Sequence, residues 1–217
     1  MLDLLSLLVQ PLGETLLMIL ASTAAAALLG FPVGILLYLI GPGGLLERPR
    51  LRMVLDRVVN ALRSFPFVIL MILLFPLSRL VVGTSIGTVA AVVPLSVAAA
   101  PFVARIVESA LSEVDRGVVE AAVASGASPS RIVLAVIVPE AAPALVSGLT
   151  LTVINLVGYS AMAGAIGGGG LGDLAVRYGY QRFRADVMLV AVVAILILVE
   201  GIQLSGLRLS RRIKSMR

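Results

Sequence analysis

Three groups of residues hold what chemistry this chain has. The first is Glu120-Ala121-Ala122-Val123-Ala124-Ser125-Gly126, with Pro139 thirteen residues further on. Glu120 offers a carboxylate to a basic partner. Ala121, Ala122 and Ala124 let a partner's surface approach the backbone, and Gly126 permits a turn that a residue with a side chain would resist. Ser128-Pro129 has the order of an N-cap followed by Pro at the first helical position, so two short helices joined at Gly126 are predicted. Glu113, Asp115, Arg116 and Arg131 make the whole segment charged and water-facing. This is docking chemistry, not bond-making chemistry.

The second group is Asn155, Tyr159, Ser160 and Met162, which interrupt an apolar run. Polar groups at membrane depth usually turn toward the bundle interior or a water-filled cavity. Met is flexible and polarisable and suits a surface that re-packs around a thioether. These four are candidates for lining a path, and simple helix packing is the alternative for Tyr159 and Met162. The third group is Glu200 alone, a carboxylate inside a span. An acidic side chain costs about 2.5–3.5 kcal/mol at a helix centre and less in the inner half, where Glu200 is placed; a structural partner is expected, with Arg57, Arg63 and Arg105 as candidates and a functional role as the alternative. Gly167-Gly168-Gly169-Gly170-Leu171-Gly172 is not followed by Lys-Ser or Lys-Thr, so it is read as a flexible outer loop and not a phosphate loop.

The elements that position these groups are membrane spans. Hydrophobic residues make up 59% of the 217-residue chain and charged ones 13%, against roughly 25% charged in a soluble domain. Mean hydropathy is +1.10. The net charge is +5, but the basic residues sit beside apolar runs, where topology explains them and a nucleic-acid partner is not needed. The sequence has no Cys and no His, which excludes disulfides, thiolate chemistry and the usual zinc sites. Neither a catalytic residue nor a cofactor is expected. No repeat or composition shift divides the chain, so one domain over 1–217 is predicted, containing the water-facing loop at 108–139.

A spanning helix needs about 20 apolar residues, and the gaps between charges supply five of them. They fall near Thr15–Ile40, in the short run between Arg63 and Arg79 that holds Pro66 and Pro76 and must extend toward Val58 or Val82, near Gly83–Ala104, near Ala141–Ile166 and over Val187–Leu207. The fold class is therefore all-α, integral to the membrane, with five transmembrane helices. Met1–Gln10 lacks the basic start of a signal peptide and reads as a short interfacial helix at the outer face. With the N-terminus outside, Arg48, Arg50, Arg52, Arg57, Arg63, Arg116, Arg131 and the tail Arg208, Arg211, Arg212, Lys214 and Arg217 face the cytoplasm. Only Arg79, Arg177, Arg182 and Arg184 fall outside. The basic bias selects that orientation, with the C-terminus cytoplasmic.

Between its spans, Glu120-Ala121-Ala122, Gly126 and Val136-Ile137-Val138-Pro139 resemble the cytoplasmic loop of permease subunits of ATP-binding cassette importers. Val136 and Val138 stand where Ile and Leu are usual, which keeps the apolar character. Val82-Gly83-Thr84-Ser85-Ile86-Gly87, Ala99-Ala100-Pro101-Phe102-Val103-Ala104-Arg105, Gly158-Tyr159-Ser160-Ala161-Met162 and Gly169-Gly170-Leu171-Gly172 with Tyr178-Gly179-Tyr180 look like the methionine importer permeases. The likeness runs from about Gly30 onward.

The resemblance implies a homodimer in the inner membrane with one translocation path. Two separate ATPase subunits would hydrolyse ATP and bind the coupling loop, and a substrate-binding protein would dock outside. A permease for another small polar nutrient is the alternative within the class. A channel or secondary carrier without an ATPase is the alternative outside it.

Overall fold

The computed structural model describes residues 2–215, with side chains from Ser6 onward. Met1 and Arg217, which enter the topology argument, lie outside those residues. All regular structure among the described residues is helical. Four helices are long and apolar enough to cross a membrane, within Ser6–Leu39, Thr88–Ser112, Ala142–Gly168 and Ala185–Ser215.

Helix α1 runs over Leu2–Leu39 without a break, a length of 38 residues. With a helical rise of about 1.5 Å per residue, it extends roughly 57 Å. The predicted separate interfacial helix over Met1–Gln10 is therefore corrected: the described part of that stretch is the first part of α1. Pro11 costs the helix one hydrogen bond but does not end it. The Gln10 amide nitrogen donates to the Glu14 carboxylate at 2.9 Å, tying the turns on either side of Pro11.

Helix α1 packs on α5 (Thr88–Ser112), and Gly30 and Gly34 set their separation. A Cβ on Gly30 would lie 2.4 Å from the Ala100 carbonyl oxygen, and one on Gly34 would lie 2.5 Å from that of Ala104. Small residues four apart are the usual means of bringing two membrane helices into backbone contact. Gly34→Leu is expected to push α1 off α5 and destabilise the chain by about 3 kcal/mol, the upper range for overpacking. A lowered melting temperature in detergent would register it, and an unchanged one would show that α1 does not need this close approach.

The second crossing differs from the expected span. It is built from three pieces, α2 (Pro49–Ser64), α3 (Phe67–Leu73) and α4 (Phe75–Val82). Phe65 is extended, as the residue before a proline prefers to be, and this ends α2. Helix α2, which leads into the crossing, starts at Pro49. Arg52 meets Glu108, Asp56 meets Arg105 and Arg63 lies over Phe102, so α2 runs antiparallel along α5. Charges every few residues hide this half of the crossing from a hydropathy reading.

From α5 the chain turns through α6 (Arg116–Ala124) and α7 (Pro129–Ile132), a wide-turn π-helical stretch over Val133–Ile137, and α8 (Val138–Glu140). Helix α9 (Ala142–Ala163) returns across the bundle, and α10 (Gly170–Asp173) closes its far end. Helix α11 (Ala185–Ser215) then comes back, its Ser210 hydroxyl donating to the Pro143 carbonyl at 2.9 Å. The bundle thus has a loop end, near α6–α8, and a far end, where α1 begins and Gly83–Gly87 and α10 meet. Met18, Leu95, Val103, Val107, Leu111, Ile137 and Leu156 fill the space between.

Candidate functional site: the coupling hairpin and the bundle above it

At the loop end, Asp115 caps α6 by accepting the Gly117 N–H at 2.7 Å. The helix ends at Ala124 with Ser125 as its C-cap, and Gly126 turns the chain at φ +76°. That region is closed to a β-branched residue, so the predicted turn is present and depends on glycine. The following helix starts with Pro129 in its first turn, as expected. Ser128, however, makes no capping bond, and its hydroxyl lies 3.3 Å from that of Ser130 instead. The cap that sequence reading missed is Asp115, legible from its position one residue before the helix.

Helix α6 buries no residue of its own. Val119 and Ala122 lean on the core, while Glu120, Ala121 and Ala124 are exposed. One flank, formed by Arg116, Val119, Glu120 and Val123, closes a cleft of about 530 Å³ against the Gly41–Leu45 loop. The exposed face is apolar and small, with Glu120 beside it. Pro139 lies after the π-helical stretch, where its missing N–H leaves one carbonyl of the preceding turn unbonded.

Above this hairpin lies a ring of charges that was not anticipated from the sequence. Arg52 contacts Glu108 at 2.5 Å and Asp56 at 3.3 Å, and Arg105 contacts Glu108 and Asp56 at 2.7 Å each. A third Arg52 bond reaches the Leu37 carbonyl at 2.7 Å, so one side chain ties α1, α2 and α5. Two guanidinium groups and two carboxylates alternate, each charge touching two of opposite sign. The spacing Arg52-x-x-x-Asp56 against Arg105-x-x-Glu108 could have signalled it. The expected ion partner for Glu200 is corrected by the same geometry. Arg105 is committed to the ring, Arg63 lies over a phenyl ring, and neither Arg57 nor Glu200, which is exposed on α11, has an ion pair among the described residues.

At the far end, the glycine run is not a loose loop. Gly170 N–H donates to Glu14 at 2.7 Å, Leu171 N–H to the Thr15 hydroxyl at 2.9 Å, and Gly87 N–H to the Gly167 carbonyl at 3.0 Å. Gly169 and Gly170 both have φ near +80°, and a Cβ on Gly170 would lie 2.6 Å from the Thr15 hydroxyl. The glycines let this backbone press against α1, which corrects the expectation of a flexible loop.

Mid-bundle, the four candidate path residues divide between faces. Leu151, Asn155, Gly158 and Met162 recur at helical spacing and form an exposed stripe on α9. Tyr159 borders that stripe, half-buried, and stacks on Phe67 with ring centroids 4.6 Å apart. Ser160 points the other way. It is buried, and its hydroxyl donates to the Val157 carbonyl at 2.8 Å.

A bundle of apolar crossings, split in its second member and carrying an exposed small-residue hairpin at one end, is a membrane permease. Residues 30–214 match the model of the binding-protein-dependent transport system inner membrane component family, and the chain belongs to that family. Its relatives include a Vibrio cholerae protein named "Probable D-methionine transport system permease protein MetI", 48% identical over 95% of this chain and 92% of that protein. A Bacillus subtilis protein named "Methionine import system permease protein MetP" is 51% identical over 79% of this chain and 77% of its own length. Among solved structures, a chain of the inward-facing MetNI methionine ABC transporter superposes with a TM-score of 0.95. It is 47% identical, over 97% of this chain and 98% of that one.

Proposed function

We propose that this chain is the permease subunit of an ATP-driven methionine importer. The observation that carries the reading is the exposed small-residue helix α6 with the Gly126 turn, set at one end of a bundle that shares its fold with the permease chain of a methionine transporter. In this reading two copies pair around one path. ATP hydrolysis takes place in separate ATPase subunits. Glu120, Ala121, Ala122 and Gly126 form the docking lever, held by the segment that ends at Pro139. A substrate-binding protein delivers methionine at the far end. Asn155, Tyr159 and Met162 face the path, and Ser160 packs behind them.

Coupling then follows from rigid parts. An ATPase that moves α6 moves α5 with it, because only Glu113–Asp115 separate the two helices. The charge ring passes that motion to α1 and α2 in the same step, so the bundle switches by rigid-body rotation between its two openings. Expressed with its ATPase, the chain should co-purify with it and support ATP-dependent uptake of labelled methionine that other amino acids compete for poorly. Co-purification without methionine uptake would point to a different nutrient. Uptake without an ATPase would point to a carrier.

The same reading places the far end outside the cell and α6–α8 with the C-terminus in the cytoplasm. Because the chain has no native Cys, single cysteines can report sidedness without background. Ser6→Cys and Phe183→Cys are expected to react with an impermeant maleimide added outside, since Phe183 is 92% exposed at the far end. Ser130→Cys and Ser215→Cys are expected to stay unreacted until the membrane is opened. Labelling of Ser130→Cys from outside would reverse the topology.

A further inference from the structure

A cavity of about 190 Å³ lies at mid-depth where the broken second crossing meets α5 and α9. Arg63 and Phe67 line it from the second crossing, Phe102 from α5, and Asn155 and Tyr159 from α9. Arg63 and Asn155 are exposed and Tyr159 is half-buried, and Arg63 differs from the equally unpaired Arg57 of the same helix in lining this cavity. Arg52 and Arg105 each contact two carboxylates, whereas Arg63 has no hydrogen bond or ion pair among the described residues and only lies 5.7 Å from the Phe102 ring centroid. The Asn155 amide and the Tyr159 hydroxyl likewise have no hydrogen-bond partner among the described residues, while the serines and threonines of α9 all bond to nearby carbonyls. Three polar groups with free bonding capacity therefore converge on one small, aromatic-walled space. Polar groups at this depth usually face the bundle interior or a water-filled cavity.

We propose that this cavity is a binding site for a zwitterionic amino acid in transit, with Arg63 as the anchor of its α-carboxylate. The proposal deepens the methionine-import reading and rests on it. A guanidinium matches the planar carboxylate with two parallel N–H bonds. The Asn155 carbonyl oxygen can accept from the ammonium group. The Phe67–Tyr159 stack offers an aromatic edge to a thioether, a contact that sulfur favours.

The test uses the permease–ATPase complex in nanodiscs and photo-methionine, whose diazirine replaces the thioether. Irradiation is expected to label peptides containing Arg63–Phe67 or Asn155–Tyr159. Excess methionine should abolish the labelling, whereas methionine amide, which lacks the carboxylate, should not. Arg63→Gln should lower labelling at least about tenfold, the loss expected for one charge-assisted hydrogen bond, and Arg63→Lys should lose less. Asn155→Leu, read in the same way, covers the case in which Arg63→Gln does not assemble. Equal labelling of wild type and Arg63→Gln, equal competition by the amide, or full labelling of Asn155→Leu would each overturn the site. Uptake of labelled methionine by the wild-type complex separates the two readings. If uptake is absent, the import reading fails and takes this site with it. If uptake is present and the label is missing or elsewhere, only this site fails, and the cavity belongs to the packing of two permease copies.

Discussion

Gly126→Val is expected to leave the permease inserted and folded but to cut ATP-coupled uptake to roughly a tenth or less. A Cβ at position 126 meets no neighbour, so the effect is not a clash. It arises from φ +76° at this position. A β-branched residue holds that conformation only at a cost of about 1–3 kcal/mol. The strain is relieved by changing the angle between α6 and the helix that follows. That tilts the exposed Ala121–Ala124 face away from whatever docks on it. A loss of about 1.4 kcal/mol is already a factor of ten. Gly126→Asn, which tolerates positive φ, should keep most of the uptake. Glu120→Lys should act at the same surface by reversing its charge without straining the backbone. Uptake in vesicles and ATPase co-purification are the readouts. Normal uptake with bound ATPase in both Gly126→Val and Glu120→Lys would mean that the hairpin is not the lever.

Glu108→Ala is expected to destabilise the bundle by about 3 kcal/mol, which is large against the margin of most proteins. Glu108 is only 8% exposed and holds two guanidinium groups at once. Its removal leaves Arg52 and Arg105 facing each other with Asp56 as their one shared counter-charge. The figure lies at the low end for a broken buried pair, because the side chains of Arg52 and Arg105 both keep partial contact with solvent. Because Arg52 also bonds the Leu37 carbonyl, the loss should loosen α1 as well as α2. Thermal unfolding in detergent should show a drop of about 5 °C or more. Glu108→Asp, which keeps a carboxylate between the two guanidinium groups, should recover part of it. No change in melting for Glu108→Ala would show that the ring contributes nothing net.

Much of this was legible in the residues. The uncharged runs around Ala25, Leu95, Ile154 and Ile195 are long enough for membrane helices, since the bilayer sets a minimum length and disfavours charge inside it. The Gly126 turn was legible too, because a glycine between a small-residue helix and Pro129 leaves few other conformations. Where single-residue periodicity failed, the reason was a long-range contact. Arg52 and Asp56 of α2 looked like loop residues, yet they pair with Glu108 and Arg105 of α5. Met1–Gln10 looked like a separate surface helix because it lacks a basic start and the uncharged run begins only after Glu14. A single missing hydrogen bond inside a long apolar helix, with Gln10 and Glu14 bridging the gap, does not stop it.

By itself, then, the amino-acid order determined an all-helical membrane protein, the position of most crossings, and a charged hairpin built to be touched by another surface. These follow from local rules: hydrophobic length, charge exclusion and backbone freedom at glycine. Only the tertiary structure decided that the glycine run at 167–172 is a packed closure on Glu14 and Thr15, that Ser160 turns into the core while Asn155 and Met162 do not, and that Arg63, Asn155 and Tyr159 share one cavity. Each of those depends on residues far apart in the chain, and their pairing is settled by how the crossings rotate and tilt to bury their small residues against one another. Sequence spacing holds no record of that rotation.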